Sequence, residues 1–137
     1  ERAFLEKKVL DLGLNDKVIF TGYIPNNEKY NLMSMSDIFI LPSLSDTFPI
    51  TVLEAMGCNL PVIVTDNVGV SDYIHDNDCG YVIPIRNSNK ISECVLYLLQ
   101  DKKHLIKQSI NARKVSTMLN YDNVGRQILV QYRILLS

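Results

Sequence analysis

One stretch constrains this chain more than any other: PSLSDTFPITVLEAMGCNLPVIVTD, residues 42–66. Just before it, residues 38–41 are apolar with a β-branched residue at every second position, and Pro42-Ser43 ends that run, so a short strand is predicted there. A polar loop over 43–48 follows. Pro49 stands where a first helical residue is expected, because its missing N–H costs nothing there and its φ is already helical. A helix over about 49–58 is the consequence, and Pro61 to Thr65 is then a continuous β-branched run, as in a strand buried on both faces. Strand, loop, helix, turn and strand in that order imply a parallel α/β sheet.

The same geometry implies an anion site. The first-turn amides of Ile50 and Thr51 have no helical acceptor and point out of the carboxyl end of a strand, where a phosphate fits. Glu54, four residues after Ile50, is carried on the helix face above that start and can reach a vicinal diol next to a bound diphosphate. Asp46 lies in the loop, eight residues before Glu54. Two carboxylates beside an anion-binding helix start suit a ligand whose hydroxyl groups are recognised next to its phosphate. The plainer alternatives are a solvated first-turn acid at Glu54 and a helix-capping loop acid at Asp46.

These residues resemble the donor-binding signature of the family 4 glycosyltransferases, retaining enzymes of the GT-B fold. That pattern is an acid, seven residues, Glu-Ala-Met, a small residue and a Gly-x-Pro-Val turn. Asp46, Glu54-Ala55-Met56 and Gly57-Cys58-Asn59-Leu60-Pro61-Val62 follow it, with Asp for the usual first Glu and Asn59 for the usual Gly. Asn also tolerates a left-handed turn after a helix. Asn67-Val68-Gly69-Val70-Ser71-Asp72 is similar to the Gly-Gly-x-x-Glu that comes next. The resemblance implies Asp46 and Glu54 as catalytic acids, with Asp46 against the transferred sugar and Glu54 on the ribose. It implies donor contacts from Thr47, Phe48, Pro49, Ile50 and Thr51, and a base-holding loop at Tyr23 and Ile24. Without the resemblance, that loop is a plain strand-to-helix connection.

The rest of the chain is consistent with a Rossmann-like parallel sheet flanked by helices, the carboxyl-terminal half of a GT-B fold. Phe4, Leu5, Val9 and Leu12 lie near helical spacing before Gly13, which predicts a helix over 1–12. A strand is predicted over 18–21, a helix over 28–35 capped by Asn27, a helical turn over 71–75 and a strand over 81–85. From Ser88 the period becomes helical. One helix, capped by Ser88 or Asn89, carries Ile91, Val95, Leu98 and Leu99; a second carries Leu105, Ile106, Ile110, Val115 and Leu119. A third, capped by Asp122, carries Val124, Ile128, Leu129, Tyr132, Leu135 and Leu136.

Composition excludes other classes. With 137 residues and 47% hydrophobic content, the chain is one globular domain. A net charge of −1 provides no field for nucleic acid. No apolar run approaches the ~20 residues of a membrane span, and no signal-peptide pattern opens the chain, so a cytoplasmic protein is expected. Cys58, Cys79 and Cys94 read as buried reduced thiols, and His75 and His104 as surface residues. Lys102, Lys103, His104, Lys107, Arg113 and Lys114 give the penultimate helix a basic side, a solvated face by default; some enzymes of the family rest on anionic membranes, and a weak peripheral contact at the inner face of the membrane is compatible with it.

The expectation is that residues 1–137 form a nucleotide-sugar (donor) binding domain, truncated on its amino-terminal side, with the acceptor domain absent and the fragment alone inactive. The family's diphosphate-neutralising Arg and Lys would lie upstream. The partners implied are a nucleotide-sugar donor and a saccharide or lipid-linked acceptor; no metal and no other cofactor is implied. A regulatory or interaction module that kept the fold and lost its chemistry is a different reading, as is a GT-B sugar-nucleotide epimerase. An upstream domain bearing that Arg and Lys would favour transfer.

Overall fold

The structure, a computed structural model, describes residues 1–135, without the side chains of Tyr121, Gln127, Ile128 and Leu135. Its elements run α1 (Arg2–Asp11), α2 (Asn26–Ser34), β1 (Phe39–Leu41), α3 (Ile50–Gly57), β2 (Val62–Thr65), α4 (Ser71–Asp76), β3 (Gly80–Ile83), α5 (Ser88–Gln100), α6 (Lys102–Met118) and α7 (Tyr121–Leu135). The three strands pair in parallel in the order β1-β2-β3, with Phe39 opposite Val62 and Val62 opposite Gly80.

The central strand β2 is buried at all four positions. Its alternation splits the core into two layers, as strand geometry requires. Val62 and Val64 meet Val52, Ala55 and Met56 of α3, Ile74 of α4, and Ala112 and Val115 of α6. Ile63 turns the other way, onto Ile83, Cys94 and Leu98. Each such aliphatic side chain contributes about 1.5–3 kcal/mol when fully buried, so this layer pair fixes the carboxyl ends of β1 and β2, from which the signature loop departs. Gly80 is required where β3 meets β2, because a Cβ there would lie 1.9 Å from the Val62 carbonyl oxygen.

Several sequence expectations shift. Pro49 is the N-cap of α3 rather than its first helical residue: it is extended (φ −72°, ψ 103°) and its carbonyl accepts from Val52 N–H at 3.0 Å. Pro25, not Asn27, caps α2, and Asn87 caps α5 by accepting from Lys90 N–H. At α7 it is Asn120 that caps, accepting from Asn123 N–H at 2.8 Å, in place of Asp122. The inward face of α6 carries Gln108, Ala112 and Val115, whereas Ile106 and Ile110 are exposed, as is Leu99 on α5. Leu136, assigned to the last helix, lies outside the described residues. Asn59 adopts the left-handed conformation its place required, at φ 60°.

Residues 18–21 form no strand. The amides of Lys17 and Val18 bond back to Leu14, and Ile19 is 86% exposed. A strand needs a neighbouring strand to take its N–H and C=O groups, and no described residue supplies one. Helix α1 likewise buries none of its residues, with Phe4 and Leu10 in the open.

Candidate functional site

The loop over 43–48 is held from below by the segment that follows β2. Thr65 donates its hydroxyl to the Ser43 carbonyl, and Asn67 Nδ2 donates to the Leu44 carbonyl at 2.7 Å. Backbone bonds then run from Asp46 N–H to Asn67 O at 3.2 Å and from Gly69 N–H to Asp46 O at 2.9 Å. The approach is so close that a Cβ on Gly69 would sit 1.7 Å from the Thr47 carbonyl oxygen. Gly69 therefore lets the two loops touch, which explains in steric terms why the second motif needs its glycine.

Asp46 is half-buried, and its Oδ1 accepts from Phe48 N–H at 3.2 Å. That bond stays inside the loop and α3 has no side-chain cap, so Asp46 does not take the helix-capping role that was the plainer alternative. Pro49 turns the chain into α3, and the first-turn amides of Ile50 and Thr51 start that helix without i−4 acceptors. Phe48 and Ile50 are 45% and 52% exposed, on the open side of the helix start.

One turn along, Glu54 is not a solvated acid. Lys29 Nζ of α2 donates to both Oε1 and Oε2 at 2.8 Å, and the Tyr30 hydroxyl donates to Oε1 at 2.9 Å. The Lys29 and Glu54 side chains are only 23% and 19% exposed. The hydrogen bond from Lys29 to Glu54, more than the charge itself, raises the ammonium's pKa above the usual lysine value; Tyr23 adds a smaller push in the same direction. Tyr23 itself is 91% exposed. Glu54 also raises the Tyr30 phenol's pKa. Lys29 and Tyr30 were not singled out in the sequence, because they precede Glu54 by 25 and 24 residues and meet it only through the packing of α2 on α3.

A cavity of 650 Å³ opens beside this cluster, lined by Tyr30, Phe48, Ile50, Leu53 and Glu54 together with Arg113, Ser116 and Leu119 of the carboxyl-terminal part of the chain. Arg113 donates to the Gly57 carbonyl, and Ser116 to the Leu53 carbonyl at 3.1 Å, which pins α6 against the end of α3. Asp46, Thr47 and Thr51 do not line it. Of the two acids, Glu54 lines the cavity and Asp46 stands in the loop outside it. Among the described residues no three His, Cys, Asp or Glu side chains converge as a metal site, and no helix is long and apolar enough to cross a membrane.

Two other sequence expectations change away from this site. His104 is half-buried, with Nε2 3.2 Å from the Tyr81 hydroxyl. Burial pushes the Tyr81 phenol up to about 12. Cys79 and Cys94 are buried free thiols, whereas Cys58 is only half-buried. Burial likewise pushes Cys79 up to about 11.

The three-stranded parallel sheet and its flanking helices form an α/β architecture, and comparison with known proteins identifies it as one half of a GT-B glycosyltransferase fold. A sucrose-phosphate synthase from Thermosynechococcus elongatus superposes with a TM-score of 0.84 at 25% identity, over 98% of this chain and 34% of that one. The carboxyl-terminal domain of a group 1 glycosyltransferase from Francisella tularensis superposes at 0.78 with 29% identity, over 86% of this chain and 61% of that one. In sequence, an alpha-D-kanosaminyltransferase of Streptomyces kanamyceticus is 30% identical over 133 residues, 96% of this chain and 34% of that protein. Residues 1–115 match the family described as glycosyl transferases group 1, and the chain belongs to that family. It spans about a third of the length of curated relatives such as these, 33% and 34% for two others.

Proposed function

We propose that this chain is the nucleotide-sugar-binding domain of a retaining glycosyltransferase that moves a hexose-type sugar to a saccharide or lipid-linked acceptor held by a separate amino-terminal domain. The observation that carries the reading is the placement of two acids around one helix start: Asp46 in the loop that leads into α3, and Glu54 one turn inside it on the wall of a cavity. Helix-start amides at Ile50 and Thr51 hold the diphosphate, Glu54 accepts the ribose hydroxyls, and the loop at Tyr23 and Ile24 carries the base. Asp46 faces the sugar with the oxygen that its bond to Phe48 N–H leaves over. Thr47 and Phe48 complete the donor wall, and no metal is required.

In chemical terms the domain contributes positioning and charge. A diphosphate leaving group carries growing negative charge in the transition state, and preorganised N–H donors stabilise it without reorganisation. A carboxylate beside the anomeric carbon favours the positive charge that develops there.

Calorimetric titration of the complete protein with uridine, guanosine, adenosine and cytidine diphosphates, and with their glucose and mannose conjugates, tests this. At least one diphosphate should bind, and Glu54→Ala should weaken it by about ten- to a hundredfold, the range for hydrogen bonds to a charged group. Binding that ignores Glu54→Ala would refute the assignment.

A further inference from the structure

The contacts on Glu54 raise a stoichiometric problem that points to a residue outside the signature. A carboxylate has two oxygens and about four lone-pair directions. Lys29 Nζ takes one on each oxygen at 2.8 Å, and the Tyr30 hydroxyl takes the second on Oε1 at 2.9 Å. One acceptor direction is left, on Oε2. A vicinal diol bound side by side on a carboxylate needs a free direction on each oxygen, so the unliganded site can accept one hydroxyl and not two.

The two occupants differ in how readily they leave. Lys29 is bidentate, charge-assisted and mostly covered, so it is the anchor. Tyr30 makes one neutral hydrogen bond, is 43% exposed and borders the 650 Å³ cavity, so its hydroxyl has space to swing aside. The Lys29 ammonium also lies 5.1 Å from the Tyr30 ring centroid, a cation–π contact that does not depend on the hydroxyl.

We propose that Tyr30 is a specificity-determining residue of the donor site: its hydroxyl occupies the Glu54 Oε1 position that one ribose hydroxyl takes, and donor binding displaces it. The proposal rests on the reading of Glu54 as the ribose-binding acid. Its consequence is that the protein discriminates ribose from deoxyribose less sharply than Glu54 alone would, because one of the two ribose hydrogen bonds is an exchange rather than a gain. Lys29 keeps the carboxylate oriented throughout that exchange.

The test compares four ribonucleoside diphosphates (uridine, guanosine, adenosine and cytidine) with their 2′,3′-dideoxy counterparts, on the complete protein and on Tyr30→Phe. The phenylalanine keeps the ring and its cation–π contact and removes only the competing hydroxyl; should it fail to fold by circular dichroism, Tyr30→Leu removes the same hydroxyl. Tyr30→Phe should bind the preferred ribonucleoside diphosphate about two- to tenfold more tightly, the worth of one net hydrogen bond, and its dideoxy counterpart with unchanged affinity. A wild-type preference for ribose that Tyr30→Phe leaves unchanged or reduces overturns the proposal alone. Equal tightening of both ligands does so too, since the effect would not pass through the ribose. If the wild-type protein binds no diphosphate, or binds ribo and dideoxy forms equally, the reading of Glu54 and the proposal fall together.

Discussion

Replacing Gly69 with alanine should dislodge the whole signature loop. The added Cβ would stand 1.7 Å from the Thr47 carbonyl oxygen and 2.8 Å from its carbon, and both are backbone atoms that cannot rotate away. Regaining an ordinary contact of 3.4 Å requires the two segments to part by about 1.7 Å. That movement breaks the bonds from Gly69 N–H to Asp46 O at 2.9 Å and from Asp46 N–H to Asn67 O at 3.2 Å. At a net 0.5–1.5 kcal/mol each, the loss is about 1–3 kcal/mol of stability. The functional loss should be larger, because Asp46, Thr47 and Phe48 move with the loop, and a misplacement of about 1 Å costs around a hundredfold in rate. Denaturant unfolding and sugar transfer by the complete protein would both be measured. Gly125→Ala is the control: nothing lies within 4 Å of its Cβ and it sits inside α7, so it should stabilise by about 0.5–1 kcal/mol. A Gly69→Ala protein with wild-type midpoint and rate would show that the contact does not position the loop.

Three other outcomes follow from the geometry. Ile50→Pro removes one proposed phosphate donor at the first helical position, which proline favours, and the preceding Pro49 is already extended; α3 should persist by circular dichroism while diphosphate affinity falls, and unchanged affinity would move the phosphate elsewhere. Asp46→Asn keeps an oxygen to accept from Phe48 N–H but removes the charge, so it should slow transfer while leaving affinity for the bare diphosphate within about twofold; equal loss for both would reassign Asp46 to loop structure. The third concerns Asp78, whose carboxyl is held below the usual aspartate range, first by the hydrogen bond from Lys107 at 2.7 Å and then by Gln108 at 3.0 Å. A depressed folded pKa gives stability that is fully present above the unfolded value of about 3.9 and is lost as pH falls through the lower folded value. Asp78→Asn should therefore destabilise at pH 7 and converge on wild type in acid. Parallel unfolding curves across that range would contradict it.

The sequence by itself determined the elements of the site and their order. Asn59 had to accept a left-handed turn, the all-apolar run of β2 had to be central, and the spacing of Asp46, Pro49 and Glu54 put one acid before a helix and one inside it. These are local matters, set by backbone sterics and periodicity within a few residues. Family membership was legible for the same reason, since its motifs are short-range spacings.

Only the tertiary structure decided what surrounds those residues. Gln108 on the inward face of α6 breaks the apolar pattern because its amide reaches Asp78 and the Gly80 carbonyl, so burial there answers to a turn nearly thirty residues away. Residues 18–21 carry a strand's sequence and form none, since a strand's hydrogen bonds belong to its neighbour and not to itself. Glu54 is clamped because α2 packs across α3 and brings Lys29 and Tyr30 to it. A carboxylate's position can be read from spacing, but its partners come from elements that share no period with it, and in this protein those partners occupy three of its acceptor directions.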